Sequence, residues 1–254
     1  MFKQAFSKIA RRGYHPNNLE HASSKVLPPL IYSKDSPQWK ILANALDEQV
    51  PKYGFNERAL TSSCSALGYS SSFLSVLGAS NSPSFFNSSP AILELLKFHL
   101  VSKRYSLTEG VADGTLEPPS LENLFLKRLE MNKPIAAHLS QLLSCLALPG
   151  AFLAEYAIPE LHRLSDDMVY FSNELDHNDF AWYSKRLAIS TAYVSSELFM
   201  AQDKSIDYQD TVKFAKEKLK NIKELGEAYN NVEEYAWYTL LSSISLAKSQ
   251  MTRS

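Results

Sequence analysis

Residues 179–203 read DFAWYSKRLAISTAYVSSELFMAQD, a stretch without proline or glycine. These two residues disrupt helices most strongly, so the stretch predicts one long helix ending near residue 201. The whole C-terminal third shares this feature, since all 12 prolines lie at or before Pro159 and the only glycine after Gly150 is Gly226. The composition therefore favours long uninterrupted helices in this part of the chain.

Shorter helices are predicted in the N-terminal half. Ser36 before Pro37 is a good helix start, because serine caps the first turn and proline fits the first helical position. Glycine breaks then divide the chain into three short helices with the outline of a helix-turn-helix unit, at about 37–53, 56–67 and 70–77. Further helices are predicted to start at Pro90, Ser120, Pro134, Asp179, Tyr208 and about Val232. Regular strand alternation is absent, which favours an all-α helical bundle.

The charge pattern argues against nucleic-acid binding. The formal net charge is −1, and no Lys or Arg occurs between Arg58 and Lys97, where a DNA-reading helix would lie. Phosphate contacts need Lys or Arg, and base contacts need Arg, Asn or Gln. The helix-turn-helix region is therefore predicted to be degenerate, with no nucleic-acid partner.

The first 13 residues carry Lys3, Lys8, Arg11 and Arg12 and no acid. Their apolar residues fall on one helical face, as in mitochondrial targeting segments. We therefore predict a presequence at residues 1–14 followed by a flexible lead-in at 15–35; a frayed basic terminus is the alternative. The longest apolar stretch is too short and too interrupted to span a bilayer.

Catalytic and metal-binding patterns are not apparent. The chain has no nucleophile elbow, phosphate-binding loop or dinucleotide fingerprint. Glu174 and His177 form a single E-x-x-H pair, whereas a di-iron bundle needs two. Cys64 and Cys145 have no metal or redox spacing and suggest a reducing compartment. We predict a non-enzyme with no catalytic residue, metal or cofactor.

One face of the helix from Asp179 combines aromatic side chains with a single cation. Arg186 has no acid three or four residues away on its own helix, so its guanidinium could bind a phosphate headgroup whose tails lie in an apolar cleft. The alternative is a surface arginine with its stem packed on Trp182. The predicted lipid-binding residues are Trp182, Arg186, Ile189 and Tyr193.

The preceding helix carries an apolar stripe at helical spacing, with Asp166, Asp167 and Tyr170 off the stripe. The stripe, Leu161, Leu164, Met168 and Phe171, is predicted to be core. The two acids could be solvated surface residues.

The last helix, predicted at residues 232–254, is amphipathic. It could pack on its own domain or on a dimer mate, or it could insert shallowly into a bilayer surface. The predicted membrane-contacting residues are Trp237, Leu240, Leu241 and Ile244.

These features together resemble a known family. The strings at 182–189 (WYSKRLAI) and 197–203 (ELFMAQD), supported by 159–162 (PELH), 164–167 (LSDD) and 121–122 (LE), are similar to the mitochondrial ubiquinone-biosynthesis family that is ninth in the Coq series, in its fungal form. The resemblance covers essentially the whole chain after the presequence.

The resemblance implies a helical bundle like the TetR regulators, with a degenerate helix-turn-helix region at 36–110 and a lipid-binding domain at 111–231. It also implies a homodimer that binds phospholipid and polyisoprenoid lipids and attaches peripherally to the matrix face of the inner membrane through its last helix. The implied partners are the demethoxyubiquinone hydroxylase and other ubiquinone-biosynthesis proteins. The family's phospholipid-contacting arginine matches Arg186, and its partner-binding patch matches Asp179, Phe180, Trp182 and Tyr183.

Two functions from different classes remain open on the sequence. One is an accessory protein that presents lipid intermediates to the hydroxylase. The other is a purely structural adaptor that stabilises the biosynthetic complex with its cavity packed shut, because pocket-lining and core residues are of the same types.

Overall fold

A computed structural model describes residues 25–79, 89–173 and 181–227, and these residues form an all-α structure, as predicted. Within these ranges the β-type pairing is limited to one isolated bridge between Val26 and Ser33. The α-helices are α1 (Pro37–Asn44), α2 (Val50–Tyr53), α3 (Glu57–Ala66), α4 (Pro90–Ala112), α5 (Leu121–Glu130), α6 (Leu139–Leu146), α7 (Ile158–Tyr170), α8 (Ala181–Met200) and α9 (Gln209–Glu227).

Side-chain caps fix several helix starts. The Ser36 hydroxyl accepts a hydrogen bond from the Trp39 amide at 3.2 Å, and Pro37 occupies the first turn of α1. Ser89 caps α4 and Ser120 caps α5 in the same way. Each cap satisfies an amide that has no partner inside its helix. The predicted starts at Ser36, Pro90 and Ser120 are confirmed.

The third predicted helix, at about 70–77, is wrong. The chain there forms only a short 3₁₀ helix, Ser71–Ser75, with no buried side chain. The Ser72 hydroxyl donates to Ser70 Oγ at 2.9 Å, and the Ser75 hydroxyl donates to the Ser72 carbonyl at 2.7 Å. Serines that bond locally compete with helix formation, and the apolar side chains of the short helix, Phe73 and Leu74, are only partly buried against the first core. The predicted start at Pro134 likewise gives a 3₁₀ helix, Lys133–His138, which leads into α6.

Two prolines lie inside continuous helical segments, each preceded by a π turn. Ala45–Gln49 joins α1 to α2 before Pro51, and Leu153–Ala157 leads into α7 before Pro159. In each case the amide just before the proline donates to the carbonyl five residues earlier. Because proline has no N–H and its ring crowds the preceding turn, the wider π turn lets the helix continue.

The buried apolar residues form two clusters. The first joins α1 to α3 with the N-terminal part of α4 and with α6. The second joins the end of α4 with α5, α7, α8 and α9. The long helix α4 therefore belongs to both cores. Within the described residues, no helix is long and apolar enough to cross a membrane.

Candidate functional site

Helix α8 is buried along much of its length and packs against α7 and α9. Ile189 and Tyr193, two predicted lipid-binding residues, are buried in the second core. The Tyr193 ring makes an edge contact with Phe125 on α5, with ring centroids 5.8 Å apart. The side chain of Trp182 lies outside the described part of the structure.

Arg186 is paired with an acid from another helix. Its side chain is 2% exposed, and Nε donates to Asp166 Oδ1 at 2.6 Å. The expectation of an unpaired guanidinium is therefore wrong, and so is the alternative of a surface arginine. The acid comes from α7, 20 positions away, so spacing along one helix could not identify it. The expectation of a solvated Asp166 is also wrong.

The neighbouring acid, Asp167, joins a second buried arginine. Arg104 on α4 donates from Nη1 to Asp167 Oδ2 and from Nε to Glu160 Oε2, both at 2.9 Å. Burial alone would lower the pKa of Arg104, but the two carboxylates raise it, so the guanidinium stays charged. Asp167 is thus a buried ion-pair partner instead of a solvated surface residue.

A cavity of about 120 Å³ lies between α4, α5, α6, α7 and α8. Most of its lining is apolar: Leu100, Leu143, Leu146, Ala147, Leu153, Ala157, Ile158, Leu161, Leu164, Val194 and Leu198. Of the three predicted lipid-binding residues whose side chains the structure describes, Tyr193 lines the cavity, and Arg186 and Ile189 do not. Side chains from five helices build this cavity, so no single sequence segment outlines it.

One part of the cavity wall is polar and consists of Arg128, Tyr193, Glu197 and Glu160. The Tyr193 hydroxyl donates to Glu197 Oε1 at 2.5 Å, and Asn132 Nδ2 donates to the same oxygen at 2.7 Å. Burial raises the pKa of Tyr193 and of Glu197. Sequence analysis missed Arg128, Asn132 and Glu197. Their i, i+4 spacing, Arg128 to Asn132 and Tyr193 to Glu197, was the only available signal.

The region of the chain that contains α7 to α9 is similar in sequence to a known protein family. The model of the COQ9 family matches residues 154–226. The ubiquinone biosynthesis protein COQ9, mitochondrial, of Saccharomyces cerevisiae is 59% identical over 95% of this chain and 94% of its own length. The protein of that name from Eremothecium gossypii is 54% identical over 97% of this chain and 99% of its own length. The chain belongs to the COQ9 family.

More distant members of the COQ9 family are also similar. The human protein is 27% identical over 79% of this chain and 62% of its own length. The names of all three relatives place them in mitochondrial ubiquinone biosynthesis. The family resemblance predicted from the sequence is confirmed, and the region matched by the family model includes the π turn before α7, except its first residue, and the whole of α8.

The predicted partner-binding patch is only partly within the described residues. Tyr183 is 69% exposed near the start of α8. Asp179 and Phe180 lie outside the described residues, as do the predicted presequence, the E-x-x-H pair and the membrane-contacting residues Trp237, Leu240, Leu241 and Ile244.

Both cysteine thiols are free, with Cys64 buried and Cys145 half-buried. Burial raises the pKa of both thiols, so they are poor nucleophiles near neutral pH. Among the described residues, no three His, Cys, Asp or Glu side chains are grouped closely enough to hold a metal ion.

Proposed function

We propose that this chain is a lipid-binding accessory protein of mitochondrial ubiquinone biosynthesis. It binds isoprenoid or phospholipid molecules, presents biosynthetic intermediates to the demethoxyubiquinone hydroxylase at the inner membrane, and supplies no catalysis itself. Its membership of the COQ9 family supports the pathway. The observation that supports lipid binding is the mostly apolar cavity between α4, α5, α6, α7 and α8.

The size of the cavity suits a fragment of an amphiphile. An apolar cavity of about 150 Å³ is known to hold benzene, and the volume here is about 120 Å³. The space therefore fits about one isoprene unit or, with a small displacement of its wall, one ring. The π turn Leu153–Ala157 at one side contains no buried residue, so few contacts oppose such a displacement.

Native mass spectrometry of the purified protein, comparing two variants, tests lipid binding. Ala157→Phe adds a ring to the cavity lining. Ala154→Phe makes the same change one turn away, at an exposed position outside the lining. We expect wild type and Ala154→Phe to retain lipid and Ala157→Phe to lose it. The absence of lipid from wild type would favour the structural adaptor, and a full lipid load in Ala157→Phe would show that lipid does not bind in this cavity.

The partner surface is proposed at the start of α8, with Asp179, Phe180, Trp182 and Tyr183. Exposed aromatic side chains are frequent anchors of protein interfaces, and Tyr183 is such a side chain. Tyr183→Ala should weaken co-purification with the hydroxylase and leave bound lipid unchanged. Loss of lipid and partner together would mean that the two sites are not separate.

A further inference from the structure

Three arginines are almost fully buried in the described part of the chain: Arg104, Arg128 and Arg186. Among the described residues, Arg104 is paired with two carboxylates and Arg186 with one. Arg128 is 1% exposed, and among the described residues no carboxylate oxygen lies within 4.0 Å of its guanidinium. Arg128 is also the one of the three that lines the cavity.

The contacts of Arg128 leave donors unused. Nη1 donates to Asn132 Oδ1 at 2.7 Å, and the guanidinium carbon lies 5.4 Å from the centroid of the Tyr193 ring. Nε is buried and has no hydrogen-bond partner among the described residues. The carboxyl group of Glu197 interacts with this cation electrostatically, but from beyond 4.0 Å. A buried charge that is compensated only in part is costly, so such groups often have a function. Nη2 also donates no hydrogen bond among the described residues and, unlike Nε, is not fully buried, so an oxygen atom entering the cavity could accept from it.

We propose that Arg128 is the polar anchor of the cavity and donates a hydrogen bond to a ring oxygen of a prenylated quinone or phenol. The ring then lies against the leucine-lined wall of the cavity, and the isoprenoid tail extends out of it. This assignment rests on the lipid-binding function proposed above and adds the residue that selects the head of the ligand. It also places the anchoring cation on α5, away from Arg186.

The lining favours a ring oxygen over a phosphate. Glu160 and Glu197 line the same cavity, so a phosphate would lie near two carboxyl groups. An uncharged carbonyl or phenol oxygen accepts from a guanidinium without that repulsion. The volume of about 120 Å³ also suits a single ring better than a glycerophosphate with its substituents.

Binding of two probes by equilibrium dialysis tests this assignment. Ubiquinone with two isoprene units carries ring oxygens, whereas farnesene is an isoprenoid hydrocarbon without oxygen. Arg128→Gln removes the cation, and Lys97→Gln is the matched control because Lys97 is another buried cation that does not line the cavity. A hydrogen bond to a charged group corresponds to about a ten-fold change in affinity or more.

We expect Arg128→Gln to weaken quinone binding about ten-fold and to leave farnesene binding unchanged. Lys97→Gln should leave both unchanged. If Arg128→Gln does not fold, as judged by its circular dichroism melt, Arg128→Lys serves instead, since it keeps the charge but loses the planar fork of donors. The quinone should also bind wild type more tightly than farnesene does.

The outcomes separate the two proposals. If wild type binds neither probe, lipid binding fails and this assignment fails with it. If wild type binds both probes and the Arg128 variants bind them equally well, only the assignment of Arg128 is overturned. Phosphatidic acid, dialysed as a third probe, tests for a phosphate headgroup. If Arg128→Gln loses phosphatidic acid binding and keeps quinone binding, Arg128 binds a phosphate and the ring-oxygen assignment is overturned.

Discussion

At the residue scale, two of the buried arginines, Arg104 and Arg186, are paired with acids from a different helix. The adjacent acids Asp166 and Asp167 on α7 turn to different partners, Arg186 on α8 and Arg104 on α4. Consecutive helical residues point about 100° apart, so one turn of α7 connects two neighbouring helices. These pairs fix how α4, α7 and α8 pack together.

Replacing Arg186 by Glu should destabilise the protein. The new carboxylate would face Asp166 in a site where the arginine is 2% exposed. Breaking a buried ion pair typically costs about 3–5 kcal/mol, and like charges add to this. Urea unfolding should show the loss, and the double variant Asp166→Lys, Arg186→Glu should recover part of it. An unchanged midpoint for Arg186→Glu would contradict the buried pair. Lipid lost by a folded variant would support the phospholipid contact, which stays a prediction.

Asp167→Ala should also be destabilising, by about 3 kcal/mol, because it leaves the buried Arg104 with one carboxylate fewer. Asp47→Ala is the matched control, since Asp47 is 67% exposed and pairs with Lys103 at 3.8 Å. Exposed pairs contribute about 1 kcal/mol or less. Denaturant midpoints for the two variants should therefore differ clearly. Equal midpoints would show that the Arg104 pair contributes no more than a surface pair.

At the element scale, local hydrogen bonds set where helices begin. The connection from α8 to α9 shows this, because the Asp203 carboxylate accepts from the Thr211 amide at 2.9 Å and from the Thr211 hydroxyl at 2.6 Å. It also accepts from the Ser205 amide at 2.7 Å. A single carboxylate therefore holds the first turn of α9 against the end of α8.

The pKa of Asp203 predicts acid sensitivity at this junction. Burial alone would raise the pKa, but the hydrogen bonds from Thr211 and Ser205 outweigh it and lower the value from 3.8 to about 2. Because the pKa is lower in the folded state, the ionised carboxylate stabilises the fold at pH values above 3.8. This stabilisation is lost as the pH falls towards 2. Asp203→Asn should remove this part of the acid destabilisation. Melting temperatures measured between pH 5 and pH 2 test it, and parallel curves for both proteins would contradict it.

At the scale of the whole molecule, the two cores share α4, and each receives residues from both sides of the predicted boundary at residue 110. Ile135, Leu139 and Met200 pack in the first cluster, beside residues from α1 to α3. A helix common to both cores couples their stability. We therefore expect the described residues to unfold together.

Deleting residues 232–254 should abolish liposome binding and leave the melt cooperative, because the described residues form two buried apolar cores of their own. In the helix predicted there from the sequence, the spacing of Trp237, Leu240, Leu241 and Ile244 corresponds to one face, which would suit shallow insertion at a bilayer surface. Flotation with anionic liposomes measures the binding. Loss of the cooperative melt would instead mean that the segment packs in the protein or in a dimer.

The mature protein should have no salt-dependent affinity for duplex DNA. No Lys or Arg occurs between Arg58 and Lys97, and the predicted reading helix is only the 3₁₀ helix Ser71–Ser75. Without cations to displace counterions, the main source of non-specific affinity is missing. Fluorescence anisotropy with a labelled duplex at low and moderate salt checks this. A salt-sensitive complex at sub-micromolar protein would contradict it.

The sequence by itself determined the all-α fold, several helix starts and the family. Serine caps, prolines and glycines act over three or four residues, so Ser36, Ser89 and Ser120 specify α1, α4 and α5 locally. Only the tertiary structure decided which charged side chains are buried and paired, and which residues line the cavity. Arg186 meets an acid 20 positions away and Arg104 meets one 63 positions away, and five helices bring Arg128 to an apolar cavity. Burial and pairing depend on which helices pack together, and that packing joins residues far apart in the chain.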